Sequence, residues 1–313
     1  MLQQISFVGI DVAKDRFDLF ILPSGERMSV SSGEAGIARL VSRLLKLGPI
    51  KIAVEASGGY ERRLALNLHE AGLVVYIVPP ARVRSFARSL AQHAKTDAID
   101  AQMIARHLET AHERLEPFRP DTLLMRLSAL SAHRGRLIAE KSGLLSQRDT
   151  IDEPMVCAMI EDRLSVIAKS VAALDKAMRE LVNATPRLKS KWHRLCLVAG
   201  VGPVLATKLI ADMPELGRVS SRSAAALVGV APYDRQSGRS NRAGRCLGGR
   251  KQIRDVAYMG VLSAIKAGNN PIASFYRRLR AKGKPFKLAM VAAIRKLITI
   301  LNAIAKTDPA FKT

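Results

Sequence analysis

Along the first hundred residues the apolar positions recur with the period of strands and then with that of helices. Residues 5–12, 16–22 and 27–31 are apolar or alternate apolar with polar, and short polar turns part them, which predicts three successive strands. The pattern then predicts a helix from about Gly33 to Leu47, a strand at 51–56 and a helix from about Tyr60 to Ala71. A strand at 74–79 stops at Pro79-Pro80, and helices carry the chain on to about Ala111.

Residues 119–183 carry no strand signal and almost no Gly or Pro. Leu123, Leu130, Leu137, Leu144 and Ile151 recur every seven residues. Beyond Pro154, the positions Ile160, Leu164, Ile167, Val171, Leu174, Met178 and Leu181 alternate in steps of four and three. This is the a/d seam of a coiled coil, and it predicts a helical hairpin broken near Pro154. Two amphipathic helices packed on the protein's own core would leave a similar trace; the densely charged flanks favour an exposed stalk. From Trp192 the chain reads as helix, Ala199-Gly200-Val201-Gly202 turn, helix. A short helix at 220–229, a polar Gly- and Arg-rich loop at 230–249 and helices at about 250–267, 271–282 and 285–306 complete the pattern.

Three strands in a meander followed by alternating helix and strand is the order of an α/β ribonuclease-H-like (RuvC-like) domain, in which the first and fourth strands lie side by side. The expected organisation is such a domain at 1–117, a coiled-coil helical hairpin at 118–185, and a mainly α-helical C-terminal domain with a helix-hairpin-helix-like element at 186–313.

Composition narrows the possibilities. The 313 residues, 48% of them hydrophobic, can bury real cores. Cys157, Cys196 and Cys246 are odd in number and widely spaced, which argues against a disulfide scaffold or zinc ribbon. No apolar stretch reads as long enough to span a bilayer and no signal pattern opens the chain, so no membrane role and a cytoplasmic, nucleoid-associated prokaryotic location are expected. The formal net charge is +23. From Leu216 to the end there are 20 Lys and Arg against 3 acids, so most of the excess lies in the last third. A solvated surface does not require such polarity; a nucleic-acid partner accounts for it. An acidic membrane would also attract it, but the cations sit among helices and not beside a lipid anchor.

Four acids stand where these elements would bring them to one point. Asp11 follows the apolar run of the first strand, Glu55 follows Ile52-Ala53-Val54, and Asp97 and Asp100 are spaced to share one face of a helix. Converging carboxylates repel unless hard cations lie between them. Oxygen-only ligands suit Mg²⁺, for which Mn²⁺ can substitute, and paired metals clamping a phosphate are a common reason for such a set. In the Arg-rich loop, Arg235, Arg239, Arg242, Arg245, Arg250, Lys251 and Arg254 crowd around Ser237-Gly238, a setting that suits a phosphodiester. A serine there could attack phosphorus, or could be an ordinary turn residue. Gly200 and Gly202 could let backbone N–H groups approach a phosphate at a helix start, or could simply let two helices pack.

Gly9-Ile10-Asp11-Val12-Ala13-Lys14, Glu55-Ala56-Ser57-Gly58-Gly59-Tyr60-Glu61 and Lys95-Thr96-Asp97-Ala98-Ile99-Asp100-Ala101 resemble the DEDD motifs of insertion-sequence transposases with a RuvC-like N-terminal domain. Leu227-Val228-Gly229-Val230-Ala231-Pro232, Gln236-Ser237-Gly238 and Ile253-Arg254-Asp255-Val256-Ala257-Tyr258-Met259 resemble their C-terminal serine transposase domain. The resemblance implies Mg²⁺ on the four acids, one or two ions, and Ser237 as the DNA nucleophile, with Ser240 three residues away as the other candidate. It further implies recombination of donor and target double-stranded DNA guided by a structured non-coding bridge RNA. Homodimers would pair into tetramers, the RuvC-like site of one subunit meeting the serine domain of another. The sequence departs from the pattern little: the hairpin opens on Ala199 where Pro is expected, and Cys246 stands in a segment that is usually basic. Other readings remain at this point. A metal-dependent nuclease or junction resolvase needs the acids but not Ser237. A nucleic-acid-binding scaffold without chemistry needs neither. An actin-like ATPase would need a second strand-loop unit, which the sequence does not contain.

Overall fold

The computed structural model describes residues 5–90, 97–237 and 240–311, and the side chains of all of these except 97–99, 234–237, 240–244 and 310. Contacts divide the chain into a first unit, Met1–Pro120, and a second, Asp121–Thr313.

The first unit runs β1 (Ser6–Val12), β2 (Arg16–Leu22), β3 (Arg27–Ser31), α1 (Glu34–Leu45), β4 (Ile50–Glu55), α2 (Glu61–Glu70), β5 (Val74–Val78), α3 (Pro80–Ser89) and α4 (Asp97–Ala111). The five strands form one sheet in the order β3-β2-β1-β4-β5. β1 is antiparallel to β2 and parallel to β4, so the first and fourth strands are neighbours, as the ribonuclease-H-like order requires. Alternation along β1 sorts its side chains to two faces. Val8, Ile10 and Val12 share a core with Ile37, Leu40 and Leu44 of α1 and Leu64 and Leu68 of α2. Each such fully buried leucine contributes roughly 2 kcal/mol. The opposite face belongs to α4: Met103, Ile104 and Leu108 pack on Ala53, Tyr76 and Val78, and Ala101 and Ala105 pack on Phe20.

The second unit runs α5 (Thr122–Arg148), α6 (Pro154–Ala184), α7 (Pro186–Cys196), α8 (Pro203–Asp212), α9 (Ser221–Val228), β6 (Pro232–Ser237), β7 (Ser240–Cys246), α10 (Lys251–Ala267), α11 (Pro271–Ala281) and α12 (Phe286–Thr307). α5 and α6 form an antiparallel hairpin. Arg134 pairs with Asp175 and Arg163 with Glu140, so rising numbers on one helix meet falling numbers on the other. Its seam is the heptad series: Leu137, Ile160, Ile167 and Met178 are buried, and Leu164, Val171, Leu174 and Leu181 are half-buried. At its root Leu127, Met178 and Val182 join the core that also holds Leu205, Leu209, Ile253, Val261 and Leu297.

Two expectations are corrected. Residues 230–249 are not simply a loop, because β6 and β7 pair as an antiparallel ribbon. Its sequence is polar on both faces, so it leaves no apolar alternation to read; backbone pairing alone defines it. The second correction concerns length. α12 is long and apolar enough to cross a membrane by composition. Its apolar side lies in the second unit's core through Met290, Ile294, Leu297, Ile298 and Leu301.

Candidate catalytic and nucleic-acid-binding sites

The register of β1 against its neighbours sets the backbones of the predicted acids at one end of the sheet. On the α4 side, Phe7 lies 5.0 Å from the His112 ring between centroids. A Cβ on Gly9 would meet the Ala101 carbonyl oxygen at 2.2 Å and the Ala105 nitrogen at 2.3 Å. β1 therefore advances as α4 recedes, and only glycine allows so close an approach. Asp11, two residues beyond Gly9 on the same face, lies at the end of the sheet where α4 begins. Ile10 pairs with Val54, and one step on places Asp11 beside Glu55. Strands lie about 5 Å apart, so the two residues are neighbours across the sheet and, by register, face the same side. Asp100, half-buried like Asp11 and Glu55, lies in the first turn of α4 immediately before Ala101. The backbone of Asp97 lies in the first turn of the same helix; its side chain is outside the described residues.

Two acids missed by the sequence reading complete the surroundings. Asp18 is the β2 partner of Asp11 and so faces the same side of the sheet. Its carboxylate takes a hydrogen bond from Arg16 Nε at 2.9 Å. The signal for it was the pairing register, not any motif. Glu61 is 7% exposed, and its Oε2 accepts from the backbone N–H groups of Ser57 at 2.9 Å and Gly59 at 2.8 Å. It closes the turn that follows Glu55, where Gly58 and Gly59 adopt φ of 72° and 113°. All-oxygen donors are what Mg²⁺ prefers. Among the described side chains no three of His, Cys, Asp and Glu are grouped closely enough to hold an ion.

In the second unit the structure separates the predicted cations. Ser237 pairs with Ser240 at the far end of the ribbon, and Arg235 is the cross-strand partner of Arg242. The side chains of Arg235, Ser237, Ser240 and Arg242, and all of Gly238 and Arg239, lie outside the described residues. Arg245 and Lys251 are exposed, the latter paired with Asp255 at 2.6 Å. Arg250 and Arg254 are turned inward. Arg250 grips Glu215 with two bonds, at 2.8 and 2.6 Å. Burial alone would raise the Glu215 carboxyl, but the hydrogen bond and charge of Arg250 outweigh it and hold the group below its ordinary range. Arg254 donates to the carbonyls of Val228 at 2.9 Å and Gly248 at 3.0 Å.

Gly200 has a packing role: a Cβ there would meet the Gly260 carbonyl oxygen of α10 at 2.5 Å. Gly202 is exposed with open space around it, just ahead of Pro203 at the start of α8. A basic surface unremarked in the sequence lies at the α11–α12 elbow. Arg277, Arg278, Arg280, Lys282, Lys284 and Lys287 are all exposed there, and the segment contains no acid.

Comparison with known proteins places the two halves. Residues 8–150 match the profile of the IS110-type DEDD transposases, described as "Transposase". Residues 192–277 match "Transposase IS116/IS110/IS902 family". The chain is 27% identical to the "Pilin gene-inverting protein" of Moraxella bovis over 98% of this chain and 97% of that one. It is 22% identical to the "Insertion element IS900 uncharacterized 42 kDa protein" of Mycobacterium paratuberculosis over 97% and 96% of the two chains. Among solved structures it resembles "T. thermophilus RuvC in complex with Holliday junction substrate" at 16% identity and a TM-score of 0.30, over 37% of this chain and 100% of that one.

Proposed function

We propose that the chain, whose residues 8–150 and 192–277 match IS110-type DEDD and IS116/IS110/IS902 transposase profiles, is an RNA-guided DNA recombinase of that kind working through a phosphoserine intermediate. The observation that carries the reading is the β1–β4–α4 register, which brings the backbones of all four DEDD positions to one end of one sheet. Asp11, Glu55, Asp97 and Asp100 would hold one or two Mg²⁺. Bound there, the ion polarises a scissile phosphate and lowers the pKa of an approaching hydroxyl. Ser237 supplies that hydroxyl. Its Oγ loses the proton and bonds to phosphorus, the phosphorus–deoxyribose oxygen bond breaks, and the leaving oxygen takes up a proton. The phosphodiester energy stays in the serine link, so strands reseal without ATP. Arg235, Arg239 and Arg242 neutralise charge on the phosphoryl oxygens.

Donor and target duplexes and a structured guide RNA are the proposed partners, in a homodimer that pairs into a tetramer. The exposed cations of α11 and α12 support a phosphate-rich partner. The test is covalent trapping. Protein, flanking non-coding RNA, labelled donor and target DNA and Mg²⁺ are mixed, denatured and resolved beside Ser237→Ala. A slow, protease-sensitive DNA band that is lost in Ser237→Ala is expected. Cleaved DNA without such a band would replace this reading with a metal nuclease that uses water.

A further inference from the structure

We propose that Arg254, backed by Arg250, is a positioning residue that locks the base of the β6–β7 ribbon and so holds Ser237 in place, and that neither arginine is a nucleic-acid contact. The inference rests on the reading of Ser237 as the nucleophile and adds what fixes it.

The ribbon leaves α9 through residues 228–231 and returns to α10 through residues 247–250. Those two segments touch backbone to backbone. A Cβ on Gly249 would meet the Gly229 nitrogen at 2.2 Å, and a Cβ on Gly229 would meet the Gly248 carbonyl oxygen at 2.2 Å and Arg254 Nη1 at 2.3 Å. Both glycines also have positive φ, 78° and 73°, a conformation that disfavours side chains. Arg254 reaches from the first turn of α10 across this contact. Its Nη1 donates to Val228 on the outgoing segment and Gly248 on the returning one. One guanidinium thus joins both ends of the ribbon. The Arg250 N–H adds a bond to the Leu227 carbonyl at 2.8 Å, and its side chain ties the same point to Glu215, which follows α8.

The physical case is one of leverage. A two-stranded ribbon is marginal alone, and β6–β7 shares its sheet with no third strand. Its tip is steered by its root. Charge-assisted bonds from Nη1 to two carbonyls fix that root, and a lysine, with a flexible stem and no rigid planar head, does not hold a donor nitrogen at the same point. Both N–H groups of Arg254 Nη1 go to backbone carbonyls, and the Arg250 guanidinium is engaged by Glu215.

Arg254→Lys and Arg254→Gln separate the alternatives, each measured in the full chain beside Ser237→Ala. A phosphate contact predicts weaker DNA and RNA binding in Arg254→Gln, a salt slope smaller by about 1, and restoration by Arg254→Lys. The positioning role predicts unchanged affinity and salt slope in both, with the covalent step at saturating nucleic acid slower by about 100-fold and no rescue by lysine. Hydrogen exchange provides an arm that needs no chemistry. Amides of Tyr233–Cys246 should exchange at least about tenfold faster in Arg254→Lys while the α8, α10 and α12 cores stay protected. Unchanged exchange in the ribbon would overturn the proposal, as would a lowered salt slope. If Ser237→Ala still forms the covalent band, the nucleophile reading fails, and the exchange arm still decides whether Arg254 locks the ribbon.

Discussion

The acids of the first unit and the serine of the second are carried on backbones of opposite character. Asp11 and Glu55 end central strands whose preceding residues, Ile10 and Val54, are fully buried. Asp100 lies in the first turn of a helix sealed to β1 by the Gly9 contact. Ser237 is at the tip of a two-stranded ribbon attached through its base. The contrast shows two ways of placing a reactive group. Carboxylates that hold a metal gain from a scaffold in which a shift of one strand would disturb the whole core. In the proposed mechanism, a serine that must meet, hold and release DNA would suit a lighter arm held at its root.

The largest expected effect tests the rigid side. Gly9→Ala forces a Cβ into the backbone of α4. It should destabilise the first unit by about 3 kcal/mol in urea denaturation of the full chain. Gly135, in α5 with open space around it, is the contrast: Gly135→Ala should stabilise by up to about 1 kcal/mol. A mild Gly9→Ala would mean that α4 is not seated on β1 as described.

The next test sharpens the chemistry of the same patch. Asp11→Asn and Asp100→Asn should weaken Mn²⁺ binding, followed by electron paramagnetic resonance, by more than about tenfold and suppress strand cleavage by more than about 100-fold. Asp18→Asn should do less, since β2 stands one strand further from Glu55 than β1 does. Equal losses at all three would make Asp18 a full member of the set.

On the second unit, neutralising Arg280, Lys282 and Lys284 together to glutamine should lower the salt slope of nucleic-acid binding by about 2.7. The melting temperature should remain unchanged, because all three side chains are exposed. An unaltered slope would remove the elbow from the binding surface.

The smallest effect is on pH. Glu215 and Asp121 are both pushed up by burial, but arginine partners and, for Asp121, the Leu123 and Leu124 N–H groups hold them below their ordinary values of 4.5 and 3.8. A depressed folded pKa gives stability that is present above the unfolded value and lost as pH falls through the folded one. The second unit's melting temperature should therefore hold steady down to the ordinary carboxylate range and fall beneath it. Arg250→Ala should flatten the part of that fall due to Glu215.

The order of strands and helices was legible because it depends on local periodicity, a period of two and a period of 3.6, and the acids proposed for the site were picked out as polar residues at the end of an apolar run. The heptads foretold the α5–α6 hairpin for the same reason. The β6–β7 ribbon was not legible, since polar strands paired only to each other carry no apolar alternation. Asp18 was missed because its place beside Asp11 is a fact of antiparallel register. The bonds of Arg250 and Arg254 were not legible because a sequence shows charge without direction; the carboxylate and carbonyls they meet come from residues 20 or more positions away or from across a turn. By itself, then, the sequence determined which elements form and which residue types could do chemistry, since both follow from short-range pattern. Only the tertiary structure decided which of those residues share a face and which cations are turned inward, because strand register and the close approach of Gly9, Gly229 and Gly249 join segments far apart in the chain.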